Sequence, residues 1–135
     1  MPGLMADVNI EGQFDALIAV CESEGWRAIW NSLGVTVHRW VELGLERDVA
    51  DRDLWHACQD RGLILVTANR NADDLDSLQA TITRDGTAAS LPVVTLSDQE
   101  RIRLDRAYAE LAAAKLMDIL IDIDSYRGTG RLWLP

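Results

Sequence analysis

Long apolar runs are absent from this 135-residue sequence, and cysteine is scarce, with two copies. No uncharged apolar stretch approaches the roughly 18 residues that a membrane span requires, and the first residues lack a basic segment followed by an apolar one. Cys21 and Cys58 fall on predicted apolar helix faces, where a free cysteine behaves as a small hydrophobic residue. We therefore expect a protein without membrane contact that is not exported and stays in the reducing cytoplasm.

Basic residues are also few, since 13 of them stand against 22 acidic residues and give a net charge of −9. Such a charge argues against a surface that holds long stretches of nucleic acid by neutralising phosphates. Local basic patches stay open, and the candidates are Arg101, Arg103 and Arg106, or Arg127 and Arg131. Arginines on a helix are usually solvated, so we interpret these as ordinary surface residues.

Hydrophobic residues make up 48% of the chain, enough for one domain over residues 1–135 with a substantial core. Strand-like and helix-like segments alternate without repeats, which predicts a three-layer α/β/α sandwich with a mostly parallel, five-stranded sheet. The predicted strands are residues 4–8, 35–40, 63–67, 91–96 and 131–134. The predicted helices are residues 13–24, a piece around Trp26, residues 51–60, a piece from Leu75 to Ile82, and a segment from 97–100 to about Asp122.

The last predicted helix has the clearest start, because Ser97 and Glu100 form a capping box. Its apolar spacing predicts one continuous helix to about Asp122. The side chains predicted to be buried along it include Leu104, Tyr108, Leu111, Ala114 and Ile121. The five tryptophans are interpreted as packing in the core and at its edges.

The most informative stretch is the buried-type strand Leu63 to Thr67, which stops at a polar and acidic cluster from Asn69 to Asp74. Polar residues also follow the first strand, beginning at Asp7. In open α/β sheets, ligands bind at the carboxyl ends of the strands. We therefore expect these two strands to lie side by side and parallel, with their polar ends at one pocket.

Oxygen-bearing side chains from three places can then meet at this pocket. Mg²⁺ and Mn²⁺ prefer carboxylate and carbonyl oxygens, so two or three acids at one point favour such a cation. The candidate ligands are Asp7 with Asn9 or Glu11, Asp53 at the start of the third helix, and Asn69, Asn71, Asp73 and Asp74. The alternative, that these residues only cap helices and shape turns, stays open.

These motifs together resemble the PIN-like nuclease domains. Asp7-x-Asn9 ends the first strand, Asp51-Arg52-Asp53-Leu54 opens a helix with acids, and Leu63 to Thr67 precedes a polar cluster. Over nearly the whole chain, the order of elements is similar to the small compact branch that often occurs in toxin–antitoxin operons. The resemblance implies a Rossmann-like α/β/α sandwich. It also implies acids that hold Mg²⁺ or Mn²⁺ and activate water for attack on a phosphodiester, usually in RNA.

The resemblance assigns the site residue by residue, with one departure. Asp7 matches the first acid and Asp53 the helix acid, but Asn69 and Asn71 stand where this branch has aspartates. Each asparagine keeps an oxygen ligand and removes a negative charge, which weakens a site for a hard cation. The implied metal ligands are Asp7, Asn9, Asp53, Asn69, Asn71, Asp73 and Asp74, and the implied catalytic residues are Asp7, Asp53 and Asp73.

Two functions follow from these observations. The first is a metal-dependent endoribonuclease that acts on RNA, as a toxin with an antitoxin-like protein partner. The second is a catalytically degenerate PIN-like domain that works as a binding module, which the acidic charge and the missing aspartates favour. The sequence leaves both open, and a homodimer as well.

Overall fold

The chain folds around a five-stranded sheet in a computed structural model that describes residues 1–70 and 77–135. The strands are β1 (Gly3–Ala6), β2 (Val37–His38), β3 (Leu63–Thr67), β4 (Val93–Leu96) and β5 (Arg131–Leu134). Their order across the sheet is β2-β1-β3-β4-β5, and every neighbouring pair is parallel. The predicted α/β fold is confirmed, and the sheet is parallel throughout the described part of the chain.

Helices cover both faces of the sheet. They are α1 (Glu11–Cys21), α2 (Arg27–Leu33), α3 (Asp51–Asp60), α4 (Leu78–Asp85), α5 (Gln99–Leu104) and α6 (Arg106–Ile121), with short 3-10 helices at Val8–Ile10, Trp40–Leu43 and Ile123–Tyr126. In the described residues, no helix is both long and apolar enough to cross a membrane.

The alternation of side chains along each strand divides the core into two layers. Leu4 and Ala6 of β1 pack in the cluster that also holds buried residues of α1, α2, α5 and α6. Met5, between them, packs on the opposite face with α3 and α4. The three layers of the predicted sandwich are therefore helices, sheet and helices, and the α3 face is the one that concerns the site.

The adjacency of β1 and β3 is confirmed, with Leu4 opposite Ile64 and Ala6 opposite Val66. β2, the next strand along the chain, lies on one side of β1. The later strands β3, β4 and β5 lie on the other side. The strand order therefore reverses between β1 and β3. In doubly wound sheets this reversal opens a crevice at the carboxyl ends of the two strands, where ligands bind.

The prediction of one continuous helix over 97–122 is wrong. The backbone of Asp105 is extended, with φ −134° and ψ 105°, so that α5 ends there and α6 begins with Asp105 as its N-cap. Asp98, and not Ser97, caps α5. Tyr108 is buried as predicted, although the new start changes which face of α6 packs on the core. Leu104, Leu111 and Ile121, however, are 83%, 61% and 62% exposed.

The boundaries of β1 and β2 also differ from those predicted from the sequence. β1 stops at Ala6, because the side chain of Asp7 accepts a hydrogen bond from the Asn9 backbone and starts the first 3-10 helix. β2 keeps only Val37 and His38 of the predicted 35–40. A strand this short at the edge of a sheet leaves few unpaired backbone groups for another chain to join.

Asp85 connects α3 to α4, since its carboxylate accepts a hydrogen bond from His56 Nε2 at 2.8 Å. Hydrogen bonds from Arg84 and then from His56 lower the pKa of Asp85 to about 2. The carboxylate therefore stabilises the fold above its ordinary pKa of 3.8, and this contribution is lost as the pH falls toward about 2.

Asp85→Asn is expected to lower Tm at neutral pH and to flatten the fall of Tm between pH 3.8 and about 2. Thermal melts across this range check the prediction, and Asp118→Asn, which changes an exposed acid of α6, is the control. An NMR titration that places the pKa of Asp85 at its ordinary value would contradict it.

Candidate functional site

Asp7 lies at the carboxyl end of β1, inside the crevice between β1 and β3. The alternation of β1 places it on the α3 face together with Met5, and it is only 8% exposed. Its Oδ2 accepts a hydrogen bond from Thr67 Oγ1 at 3.0 Å, and its Oδ1 accepts one from the Asn9 backbone N–H at 3.3 Å. Asp7 is thus both a helix cap and a buried acid at the strand-order reversal.

Asn69 extends these contacts from β3 to α3. Its backbone N–H donates to Thr67 Oγ1 at 3.0 Å, and its side-chain Nδ2 donates to Asp51 Oδ2 at 2.9 Å. The same Asp51 oxygen accepts the backbone N–H of Leu78 at 3.2 Å. A continuous chain of hydrogen bonds therefore runs from Asp7 through Thr67 and Asn69 to Asp51, and we call it the acid network.

The helix acid in this network is Asp51, whereas the sequence pattern predicted Asp53. Asp53, the predicted helix acid, is exposed and makes no hydrogen bond or ion pair with any residue that the structure describes. The spacing along α3 carried a signal for Asp51, because it lies three and four positions before the buried Leu54 and Trp55. Residues three and four apart share a helix face, so Asp51 points to the sheet side.

A pocket of about 210 Å³ opens beside Asp7. Asn9 and Asn69, two of the predicted ligands, line it together with Gln99, whereas Glu11, Asp51 and Asp53 do not. Among the described residues, Asp51 reaches the pocket only through its hydrogen bond with Asn69. The predicted ligands Asn71, Asp73 and Asp74 lie outside the described residues. Their part in the site stays a prediction.

The donors present fit a hard divalent cation in kind. Asp7, Asp51 and Asn69 offer oxygen atoms, which Mg²⁺ and Mn²⁺ prefer. Residues 1–70 and 77–135 contain no group of three His, Cys, Asp or Glu side chains close enough to hold a metal ion. A metal ion at the acid network would therefore need further ligands from outside the described residues.

The two cysteine thiols, Cys21 and Cys58, are buried in the core. Burial raises the pKa of Cys21 and of Cys58 to about 12, so both stay protonated. A thiolate is the nucleophilic form of cysteine, and neither residue reaches it under physiological conditions.

A larger cavity, about 530 Å³ in volume, lies between α4 and the turn that precedes β5. Thr83, Thr87 and Ser90 line it, and none of the described residues in its lining is acidic. Since a hard cation needs carboxylates, the 530 Å³ cavity does not compete with the acid network as a metal site.

Arg131 of β5 fixes the segment that carries Asn69. Its Nη1 donates to the Asn69 carbonyl oxygen at 2.8 Å and to Thr95 Oγ1 at 2.7 Å, and its Nε donates to Gln79 Oε1 at 2.9 Å. Burial and the nearby charge of Arg70 lower the pKa of Arg131. The interpretation of Arg131 as a solvated surface residue was therefore wrong.

The chain finds no match among protein-family models, among curated proteins or among solved structures. The function is therefore inferred from the residues of the acid network and their geometry.

Proposed function

We propose that this protein is a metal-dependent endoribonuclease of PIN-like type, with Asp7 and Asp51 as ligands of Mg²⁺ or Mn²⁺. The acid network carries the proposal, because it holds two carboxylates at the carboxyl ends of β1 and β3. That edge is where open α/β sheets bind ligands. Asp73 and Asp74 complete the proposed ligand set, and the finer role of a toxin restrained by an antitoxin-like protein rests on the resemblance alone.

Each described residue has a distinct task in this proposal. Thr67 donates to one oxygen of Asp7 and so fixes the orientation of its carboxylate. Asn69 donates to Asp51 and holds this second acid toward the sheet edge. A divalent cation held by Asp7 and Asp51 would supply the charge that activates a water molecule and neutralises the attacked phosphate.

The second candidate, a binding module without catalysis, is favoured by one specific observation. Both oxygens of Asp7 already accept hydrogen bonds from Thr67 and Asn9, as they would in a purely structural cap. Asn69, where a catalytic member has aspartate, also lowers the negative charge of the site. The two candidates predict different effects of removing an acid. In a nuclease the removal lowers the rate of RNA cleavage, whereas in a binding module it changes only the stability of the fold.

The test compares three single-charge changes on one helix. Asp51→Asn is expected to lower the rate of Mn²⁺-dependent cleavage of single-stranded RNA at least about tenfold, the effect typical of disturbed metal sites. Asp53→Asn tests the residue that the sequence pattern favoured, and we expect it to have no effect. Asp60→Asn, an exposed acid at the other end of α3, is the control for net charge.

The possible outcomes separate the candidates. Loss of cleavage in Asp53→Asn alone would restore the assignment from sequence and remove Asp51 from the site. Wild-type protein that binds RNA but never cleaves it with Mn²⁺ would replace the nuclease with the binding module. Calorimetric titration of Mn²⁺ into all four proteins shows whether lost activity follows lost metal binding.

A further inference from the structure

An exposed tryptophan flanked by two arginines lies on the edge strand β5. Trp133 is 47% exposed, although we interpreted the tryptophans as packing residues. The guanidinium carbons of Arg70 and Arg131 lie 5.3 and 5.7 Å from the centroid of its ring. We call these three residues the basic–aromatic patch.

The alternation of β5 explains how the patch forms. Arg131 and Trp133 are two residues apart and share one face of the strand, and the register places them opposite Val93 and Thr95 of β4. Val93 belongs to the core cluster on the α3 face, so the patch lies on the same side of the sheet as the acid network. Arg131 joins the two directly through its hydrogen bond to the Asn69 carbonyl oxygen.

In the described part of the chain, the hydrogen bonds of the two patch arginines go to uncharged oxygens. Arg70 donates to the backbone oxygens of Leu96 and Ser97, and Arg131 donates to amide, backbone and hydroxyl oxygens. Neither arginine forms an ion pair with a carboxylate in residues 1–70 and 77–135. In a chain with a net charge of −9, two such arginines beside an exposed aromatic ring make a local positive site.

Polyanions with flat bases match this chemistry. Single-stranded nucleic acids bind where bases stack on aromatic side chains and arginines contact the phosphates, and each stacked base contributes about 1–3 kcal/mol. Neighbouring strands are ~4.8 Å apart, so the patch lies roughly 10–15 Å from the crevice between β1 and β3. Stacked nucleotides advance ~3.4 Å each, so about three or four of them cover this span.

We propose that the basic–aromatic patch binds single-stranded RNA, with a base stacked on Trp133 and a neighbouring phosphate held by Arg70. The inference rests on the proposed function for the choice of RNA, and it adds a site that positions the strand a few nucleotides from the acid network. Trp133 and Arg70 are positioning residues, since they lie apart from the acids.

The test measures binding without cleavage, by fluorescence anisotropy of a labelled ten-nucleotide oligouridylate in EDTA. Trp133→Ala is expected to weaken binding by about 5–100-fold, the range for one lost stacking contact, and Trp133→Phe to restore most of it. Arg70→Gln is expected to lower the slope of log affinity against log salt by about 0.7, which is one phosphate contact. Trp133→Ala leaves that slope unchanged.

Two control variants match these changes elsewhere on the surface. Arg47→Gln removes the charge of an exposed arginine, and Leu104→Ala removes an exposed apolar side chain that is 83% accessible. Both are expected to bind the oligonucleotide as the wild type does. Melting curves test whether all variants are folded, which is expected because nearly half of the Trp133 side chain is exposed.

The result that overturns the inference is equal RNA affinity in wild type, Trp133→Ala and Arg70→Gln. Sedimentation of the same proteins tests whether the patch instead binds a second copy of the chain. If the wild type is a dimer that Trp133→Ala dissociates, and the RNA affinity is unchanged, the patch is a contact between copies. Asp51→Asn separates the two proposals. If Asp51→Asn binds RNA as the wild type does and the wild type never cleaves RNA, the proposed nuclease activity is wrong, whereas the proposed binding of RNA by the basic–aromatic patch is retained.

Discussion

Asn69→Asp is expected to tighten Mn²⁺ binding by about 10–100-fold, the range over which neighbouring groups change metal affinity. The same substitution is expected to destabilise the metal-free protein. Asn69 now donates from Nδ2 to Asp51 Oδ2 at 2.9 Å, and an aspartate would replace this donor by a second carboxylate. Two carboxylates at that distance repel each other, and the pKa of one of them rises.

The expected cost without metal is about 1–3 kcal/mol in the free energy of unfolding, because Asp51 loses a partner and gains a like charge. A divalent cation reverses the balance, since it is attracted by both carboxylates. Urea unfolding in EDTA and in Mn²⁺, together with calorimetric titration of Mn²⁺, measures both effects. Asn31→Asp, an exposed residue of α2, is the matched control.

A destabilisation of Asn69→Asp that is equal with and without Mn²⁺, and an unchanged affinity for the ion, would contradict this prediction. The acid network would then be a structural cap. The binding module would replace the nuclease as the best account of the site.

Thr67→Val is expected to lower the free energy of unfolding by about 1–3 kcal/mol, the cost of leaving the buried Asp7 oxygen without its partner, and the partly buried Asn69 N–H adds a smaller loss. Thr67 is fully buried, and its hydroxyl both donates to Asp7 Oδ2 and accepts from the Asn69 backbone N–H. Valine has nearly the same shape, so packing is preserved and the change isolates the hydroxyl.

Urea unfolding checks this value against two related variants. Thr67→Ser keeps the hydroxyl and is expected to retain most of the stability. Thr95→Val removes another buried hydroxyl, which accepts one hydrogen bond from Arg131, so its cost is expected to be about half. A loss below about 0.5 kcal/mol in Thr67→Val would mean that Asp7 and Asn69 find other partners.

Sequence reasoning predicted that the ends of the first and third strands lie side by side, because the relevant signal is local. An apolar run that ends in polar residues identifies a buried strand and its carboxyl end, and this was enough to pair β1 with β3 and to place Asp7 and Asn69 near each other. The choice between Asp51 and Asp53 was harder, because both lie in the first turn of α3 and both favour the helix dipole. The helix face that packs on the sheet decides between them.

Other features depended on contacts between distant segments. The sequence predicts Thr67 only as the last residue of a strand. Its hydroxyl becomes the partner of Asp7 because β1 packs beside β3. The apolar spacing across Asp105 favoured one continuous helix, and the break there became apparent only from its extended backbone and its contact with the Tyr108 N–H. The exposure of Trp133 follows from the position of β5 at the sheet edge, which composition does not reveal.

The parallel topology also sets the order in which the site can be assembled. Parallel neighbours cannot be joined by a hairpin, so each pairing must close a long loop before any contact is gained. Asp7 and Thr67 are 60 residues apart in the sequence, and Asn69 and Arg131 are 62 apart. During synthesis, the ribosome releases the first strand early and the last strand late. A nascent chain that already contains Asp7 and Asp51 therefore lacks the contact that holds the Asn69 carbonyl until Arg131 has emerged and β5 has docked.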